Sequence, residues 1–252
     1  MNSTYSSETS LHYVVTGASS GIGAAAAASL ASRGHHVIAV ARNAARLECL
    51  GKEYKDLVHN IVADLAETHG QHAVADHVKS IGNIHGIIHS AGAHVPLKNY
   101  QDLDVESLLA DMKSHVAAPI VLNNVLHESI KGGRILFIDS YSANSPRVGW
   151  AGYSIIKAAA RMAARSAAAE IKEATTIRVF PGAVRTPLIQ TILTANHTSP
   201  VVEMFKDLDA TDNFSDAQSI GEFIANILTT ATDEQLSARE FWDFNSPNDQ
   251  IF

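Results

Sequence analysis

Six apolar runs of strand length, alternating with helix-forming stretches, constrain this 252-residue chain more than any other feature. The runs are Leu11–Thr16, His36–Ala41, Leu57–Val62, Ile84–Ser90, Arg134–Asp139 and Thr176–Phe180. A strand with one wet face alternates apolar and polar residues, whereas these runs are nearly continuous, as in strands covered on both faces. Between them lie helix formers at Ile22–Ser32, Ala44–Leu50, Glu67–Ser80, Asp104–Ser129 and Tyr153–Ala174. A last helix at Asp216–Thr230 and a strand at Glu240–Phe244 close the pattern. Repeated strand–helix units joined by crossovers predict a doubly wound parallel sheet with helices on both faces. The alanine-rich stretches Ala24–Ala28 and Ala158–Ala169 are strong helix formers, and no stretch reads as a linker between domains.

The α/β chain is expected to form a single domain over residues 11–252, with a flexible start at residues 1–10. That start lacks the basic and apolar regions of a secretory signal. Hydrophobic residues at 46% supply a core, while a net charge of -7 argues against a nucleic-acid-coating surface or an anionic-membrane anchor. No apolar stretch approaches the roughly 20 residues of a membrane span. A single cysteine, Cys49, permits no internal disulfide and points to a reducing cytoplasm. The thirteen histidines form no HExxH and the lone cysteine offers no cluster, so no metal site is expected. Residues 187–216 break the rhythm, with a helical turn near Val202–Leu208; the segment reads as a substrate lid or as a variable surface loop.

The first strand runs into Thr16-Gly17-Ala18-Ser19-Ser20-Gly21-Ile22-Gly23, and a helix opens at Ile22. Glycines there let the backbone turn and approach a pyrophosphate, whose charge meets the positive end of the helix. This is the context of a Rossmann dinucleotide loop. An acid closing the second strand would hydrogen-bond the adenosine ribose and repel a 2′-phosphate. This chain carries Arg42 instead, a guanidinium suited to phosphate, which favours NADPH over NADH. Asp64, closing the third strand, either accepts from the adenine amino group or caps the next helix.

In Tyr153-Ser154-Ile155-Ile156-Lys157 the phenol and the ammonium lie four residues apart, on one helical face. Phenols ordinarily hold their proton to about pH 10, and a nearby ammonium stabilises the phenolate, making a general acid for carbonyl reduction.

Together these motifs resemble those of the short-chain dehydrogenase/reductase family over about residues 11 to 250. Thr16-Gly17-x-x-x-Gly21-x-Gly23, Asp64, Ser90-Ala91-Gly92, Ser140, Tyr153, Lys157 and Pro181-Gly182 fall in the family's order and spacing. The resemblance implies that Ser140 polarises the substrate carbonyl, Tyr153 donates the proton, and Lys157 binds the nicotinamide ribose and tunes Tyr153. It also implies that Ser19, Ser20, Ile22 and the Ser90-Ala91-Gly92 turn line the cofactor, with Val184 and Thr186 meeting the nicotinamide amide. Two residues depart from the family pattern. His89 stands where Asn is usual before Ser90, and His115 aligns with the asparagine that supports a water-linked proton path to the lysine. Imidazole also binds water and titrates near neutrality, so His115 is expected to relay protons or simply to pack.

The Gly149-Trp150-Ala151-Gly152-Tyr153 stretch is similar to the sepiapterin reductase and benzil reductase branch, which implies a vicinal dicarbonyl or other small ketone as substrate. Trp150, Tyr141, Val95, Leu188, Ile189 and Ile192 are candidates for an apolar pocket wall. The family commonly pairs its two long helices across a two-fold axis, which implies a homodimer or homotetramer. The readings that compete are an NAD-linked alcohol dehydrogenase and a non-catalytic NADPH sensor.

Overall fold

The computed structural model describes residues 10–92 and 96–250. Seven strands, β1 (His12–Thr16), β2 (His36–Ala41), β3 (Val58–Val62), β4 (Gly86–His89), β5 (Arg134–Ile138), β6 (Thr175–Phe180) and β7 (Trp242–Asp243), form one sheet. Its order is β3-β2-β1-β4-β5-β6-β7, and every pairing is parallel. The order reverses between β1 and β4, where Thr16 pairs with Val40 on one side and His89 on the other. In such sheets the crevice at the carboxyl ends of the strands beside this reversal receives ligands.

The helices are α1 (Gly21–Ser32), α2 (Ala44–Tyr54), α3 (Thr68–Ile81), α4 (Val105–Met112), α5 (Ala118–Val125), α6 (Ala151–Glu170), α7 (Pro187–Leu193), α8 (Pro200–Ala210), α9 (Ala217–Thr229) and α10 (Asp233–Ser237). Successive residues of β1 feed opposite cores. Tyr13 and Val15 pack under α1 and α9 with Leu30, Ile224 and Ile227, while Val14 packs under α3 and α5 with Val74, Val78 and Leu122. Each such buried aliphatic side chain stabilises the fold by about 1.5–3 kcal/mol, so both faces of every central strand must be apolar. That is why these strands read as continuous runs.

Two expectations require correction, and one helix was not foreseen. The helix expected over Asp104–Ser129 is α4 and α5 joined through a π-helical turn at Lys113–Ala117, and it ends at Val125. The segment 187–216, expected as a lid or surface loop with one helical turn near Val202–Leu208, holds two helices, α7 and α8, which pack Ile189, Ile192, Val201, Val202 and Phe205 against Trp150. Each starts with a proline after a Thr or Ser, a combination suited to a helix N-terminus. Finally, α10 has a capping box between Thr232 and Gln235 that had gone unassigned. Of residues 1–10, expected to fray, only Ser10 is described; its hydroxyl donates to the Gly34 carbonyl at 2.7 Å.

Candidate active site

A groove of about 1380 Å³ follows the carboxyl ends of the strands. Gly17, Ser19, Ser20, Gly21 and Ile22 line one end, with Arg42 and Asp64 beyond them. Ser90, Ala91 and Gly92 lie at its middle, and Ser140, Tyr153, Lys157 and His115 at the far end with Pro181, Gly182, Val184 and Thr186. Gly23 does not face the groove. It packs beneath the loop, where a Cβ would come 2.5 Å from the Gly17 carbonyl oxygen.

The loop fits a dinucleotide on its own geometry. Gly17 has φ +71°, and a Cβ there would sit 2.8 Å from the Ser90 carbonyl, so the first turn must be bare backbone. Thr16 ties this turn to the next: its hydroxyl donates to Ile88 O at 3.1 Å and accepts from the Ser90 and Ala91 N–H groups at 3.1 and 3.0 Å. Ser20 precedes α1 without a side-chain cap, and the first turn carries no acid. The free N–H groups and the helix dipole there suit a diphosphate.

Beyond the loop Arg42 reaches Asp64 at 3.7 Å, with both side chains well exposed. Asp64 also accepts from the Ala66 N–H at 3.0 Å, closing a local turn. It does not cap α3, whose N-cap is Glu67, so the capping alternative is set aside.

At the chemical end, α6 brings Tyr153 and Lys157 to one face. The Lys157 ammonium lies 5.9 Å from the Tyr153 ring centroid and donates to Ile138 O at 3.0 Å. Trp150, buried, stacks on Tyr153 with centroids 3.7 Å apart and planes within 8°, which fixes the plane of the phenol. Ser140 follows β5, and its Oγ accepts from the Ser142 N–H at 3.2 Å. With a lone pair so engaged, the hydroxyl hydrogen is free to point elsewhere. Tyr141, the phenol next to Ser140, is a poor acid. Its hydroxyl bonds to the Asp243 carboxylate, and that bond, with burial second, pushes its pKa up to about 12.

The two histidines that depart from the family pattern flank this site. His115 lies in the π-helical turn, a distortion often found at functional positions. Its ring occupies the space over Gly92, where a Cβ would fall 2.2 Å from Cε1, so the pair fits only with glycine at 92. His89, at the end of β4, is buried and pairs through Nε2 with Asn123 Oδ1 at 2.8 Å. Burial drives its pKa down to about 4, against a smaller upward pull from Asn123. Behind Lys157 lies a cavity of about 30 Å³, lined by His89, His115, Asp139 and Arg161 among others, with room for one water.

Trp150, Leu188 and Ile189 form the expected apolar wall, joined by Val201, Met204 and Phe205 from α8. Ile192 is fully buried within α7 and does not reach the groove, and Val95 lies outside the described residues. Sequence reasoning did not single out Thr16 as the tie between the two loops, Asn245 of the C-terminal segment over Gly182, or the Asp139–Arg161 pair. Thr16 stands at the head of the glycine motif, and Asp139 is a charge closing an otherwise apolar strand.

Comparison with known proteins agrees with this geometry. Residues 12–197 match the family model for short chain dehydrogenase. An uncharacterized oxidoreductase of Schizosaccharomyces pombe is 29% identical over 178 residues, covering 69% of this chain and 71% of the relative. A benzil reductase ((S)-benzoin forming) of Bacillus cereus is 24% identical over 237 residues, covering 87% and 94%. Among solved structures, a short chain dehydrogenase/reductase from Saccharomyces cerevisiae superposes with a TM-score of 0.89 at 24% identity, covering 96% of this chain and 99% of that one. With the nucleotide loop, the Ser140, Tyr153 and Lys157 set and a family match over most of its length, the chain belongs to the short-chain dehydrogenase family, the NAD(P)-dependent oxidoreductases.

Proposed function

We propose that this protein is an NADPH-dependent reductase of ketones, vicinal dicarbonyls foremost. The observation that carries the reading is the meeting of Ser140, Tyr153 and Lys157 at one end of a dinucleotide-sized groove, under an apolar wall led by Trp150. When bound, the nicotinamide supplies a hydride to the carbonyl carbon. Ser140, its Oγ already accepting from Ser142 N–H, turns its hydrogen toward the carbonyl oxygen and orients it. Tyr153, held flat by Trp150, donates the proton to that oxygen as charge develops. Lys157 stabilises the phenolate left behind and binds the nicotinamide ribose. Val184 and Thr186 hold the nicotinamide amide. The resemblance to benzil reductases supports a dicarbonyl substrate, and the aromatic and aliphatic wall supports a flat apolar one. NADPH consumption with benzil-type diketones, quinones and sepiapterin tests the reading; no turnover with any of them, despite tight NADPH binding, would count against it.

Arg42 selects the cofactor in this reading. Its contact with Asp64 is long and exposed, leaving the guanidinium available to a 2′-phosphate. A charge-assisted bond is worth about 1.5–3 kcal/mol, so Arg42→Asp is expected to shift the ratio of kcat/KM for NADPH over NADH by about 10- to 100-fold toward NADH. An unchanged ratio would return weight to an NAD-linked dehydrogenase.

His115 relays protons between solvent and Lys157 through the small cavity they share. His115→Asn is expected to alter the kcat–pH profile, because asparagine can hold the water but cannot pass a proton. An identical profile in the variant removes His115 from the relay.

The protein pairs with itself through α4, α5 and α6, where Leu109, Ile120, Ile155 and Met162 stand exposed. None of the described helices is long and apolar enough to cross a membrane. The free, exposed Cys49 fits a reducing cytoplasm as the protein's location.

A further inference from the structure

Behind Ser140 lies a buried charged cluster for which the reaction above has no use. Asp139 follows β5 directly, and its side chain is only 2% exposed. The carboxylate accepts from Arg161 of α6, through Nε at 2.9 Å and Nη2 at 3.0 Å, and from Arg178 Nη1 of β6 at 3.0 Å. Its Oδ1 also accepts from the Ser140 N–H at 2.7 Å. Arg161 Nη2 then donates to the Ser140 carbonyl at 2.6 Å, and its Nη1 to the Asn144 side chain. Both backbone polar groups of Ser140 therefore end on the same buried cluster. Glu240 holds Arg178 from the far side at 2.8 Å.

Burying three charges costs desolvation that apolar packing would avoid, so stability alone is a weak reason for the arrangement. Geometry gives a better one. Tyr153, Lys157 and Arg161 succeed one another at four-residue spacing along one face of α6. Lys157 grips Ile138 O, while Arg161 grips the Asp139 carboxylate and Ser140 O. One stripe of the helix thus holds three consecutive residues at the end of β5, and the same stripe carries the phenol. The planar fork of Arg161 meets both acceptors at once, which a lysine ammonium cannot do with the same rigidity.

We propose that Arg161 is a positioning residue: through Asp139 and the Ser140 carbonyl, it sets where the Ser140 hydroxyl stands relative to the Tyr153 phenol. This rests on the reading of Ser140 as the group that orients the substrate carbonyl.

Arg161→Gln removes the fork and leaves Asp139 to Arg178. A misplacement of the order of an ångström at a reacting group is expected to cost about 10- to 100-fold in kcat. NADPH affinity, followed by nicotinamide fluorescence, is expected to stay near wild type, while the thermal midpoint falls because a partner of the buried Asp139 is lost. Amide hydrogen exchange across residues 138–144 is expected to rise, with the rest of the sheet unchanged. Should the single variant fail to fold, Arg161→Lys keeps the positive charge beside Asp139 without the planar fork and is read in the same way. Unchanged exchange at 138–144 overturns the proposal, as does raised exchange with unchanged kcat. If the wild-type protein reduces nothing on the carbonyl panel, the reductase reading fails separately, and the exchange comparison still decides whether Arg161 holds Ser140.

Discussion

Tyr153→Phe is expected to abolish carbonyl reduction while the protein still folds and binds NADPH. Phenylalanine keeps the ring that stacks on Trp150, so the packing of α6 against α7 and α8 survives. Lys157 keeps its bond to Ile138 O, which does not involve the phenol. What goes is the hydroxyl proposed as proton donor, and positioned acid catalysis is worth about 10²- to 10⁴-fold. Cofactor affinity is expected to change by less than about tenfold, the most that one lost neutral hydrogen bond of about 0.5–1.5 kcal/mol permits. The other phenol at the site offers no rescue, because Tyr141 is tied to Asp243 and holds its proton to about pH 12. The check is single-turnover reduction with saturating NADPH, beside fluorescence titration of the cofactor. A variant retaining about a tenth or more of the wild-type rate would show that the proton comes from elsewhere.

The parts of this molecule that were legible in its sequence are those set by local pattern. The strands could be read because Tyr13, Val14 and Val15 are all buried, two toward one layer of helices and one toward the other. The nucleotide loop could be read because close approach by Gly17 leaves no choice of residue. Tyr153 and Lys157 share a face by helical spacing alone. The rest is carried by contacts distant in sequence. Arg161 and Arg178 meet Asp139 across 22 and 39 residues, and no local pattern announces such a meeting. The π-helical turn around His115 leaves the helical pattern through α4 and α5 intact, so it is invisible without coordinates. Helix α7 is only seven residues long, too short for a convincing period, although Thr186-Pro187 marks its start.

Acid is expected to weaken the fold, and His89 to be the largest single histidine cause. It ends a central strand against Asn123 and Phe137, beside a cavity whose walls also hold His115, Lys157, Asp139, Arg161 and Arg178. Burial lowers its pKa to about 4 in the folded protein, whereas an unfolded histidine titrates near 6.5. A base whose folded pKa is lowered binds fewer protons folded than unfolded, so its contribution is complete above about pH 6.5 and declines as pH falls toward 4. Between pH 7.5 and 4.5 this one group is expected to remove about 2–3 kcal/mol of stability. A second group acts in the same direction at the amino ends of the strands. His12 stacks on His36 at 4.7 Å and lies 6.4 Å from His85. Burial first, and neighbouring positive charge second, hold His12 and His35 below the ordinary histidine value, and burial does the same to His85. These three are partly exposed, and solvent screens them, so each contributes less than His89. Urea unfolding at the two pH values measures the sum, and His89→Asn isolates the main part, since asparagine has no proton to gain. The variant's stability is expected to fall by about 2–3 kcal/mol less over this interval than that of the wild type. Parallel losses in the two proteins would place the acid sensitivity in the strand-end histidines and the carboxylates, and would mean that His89 takes up its proton without disturbing the core.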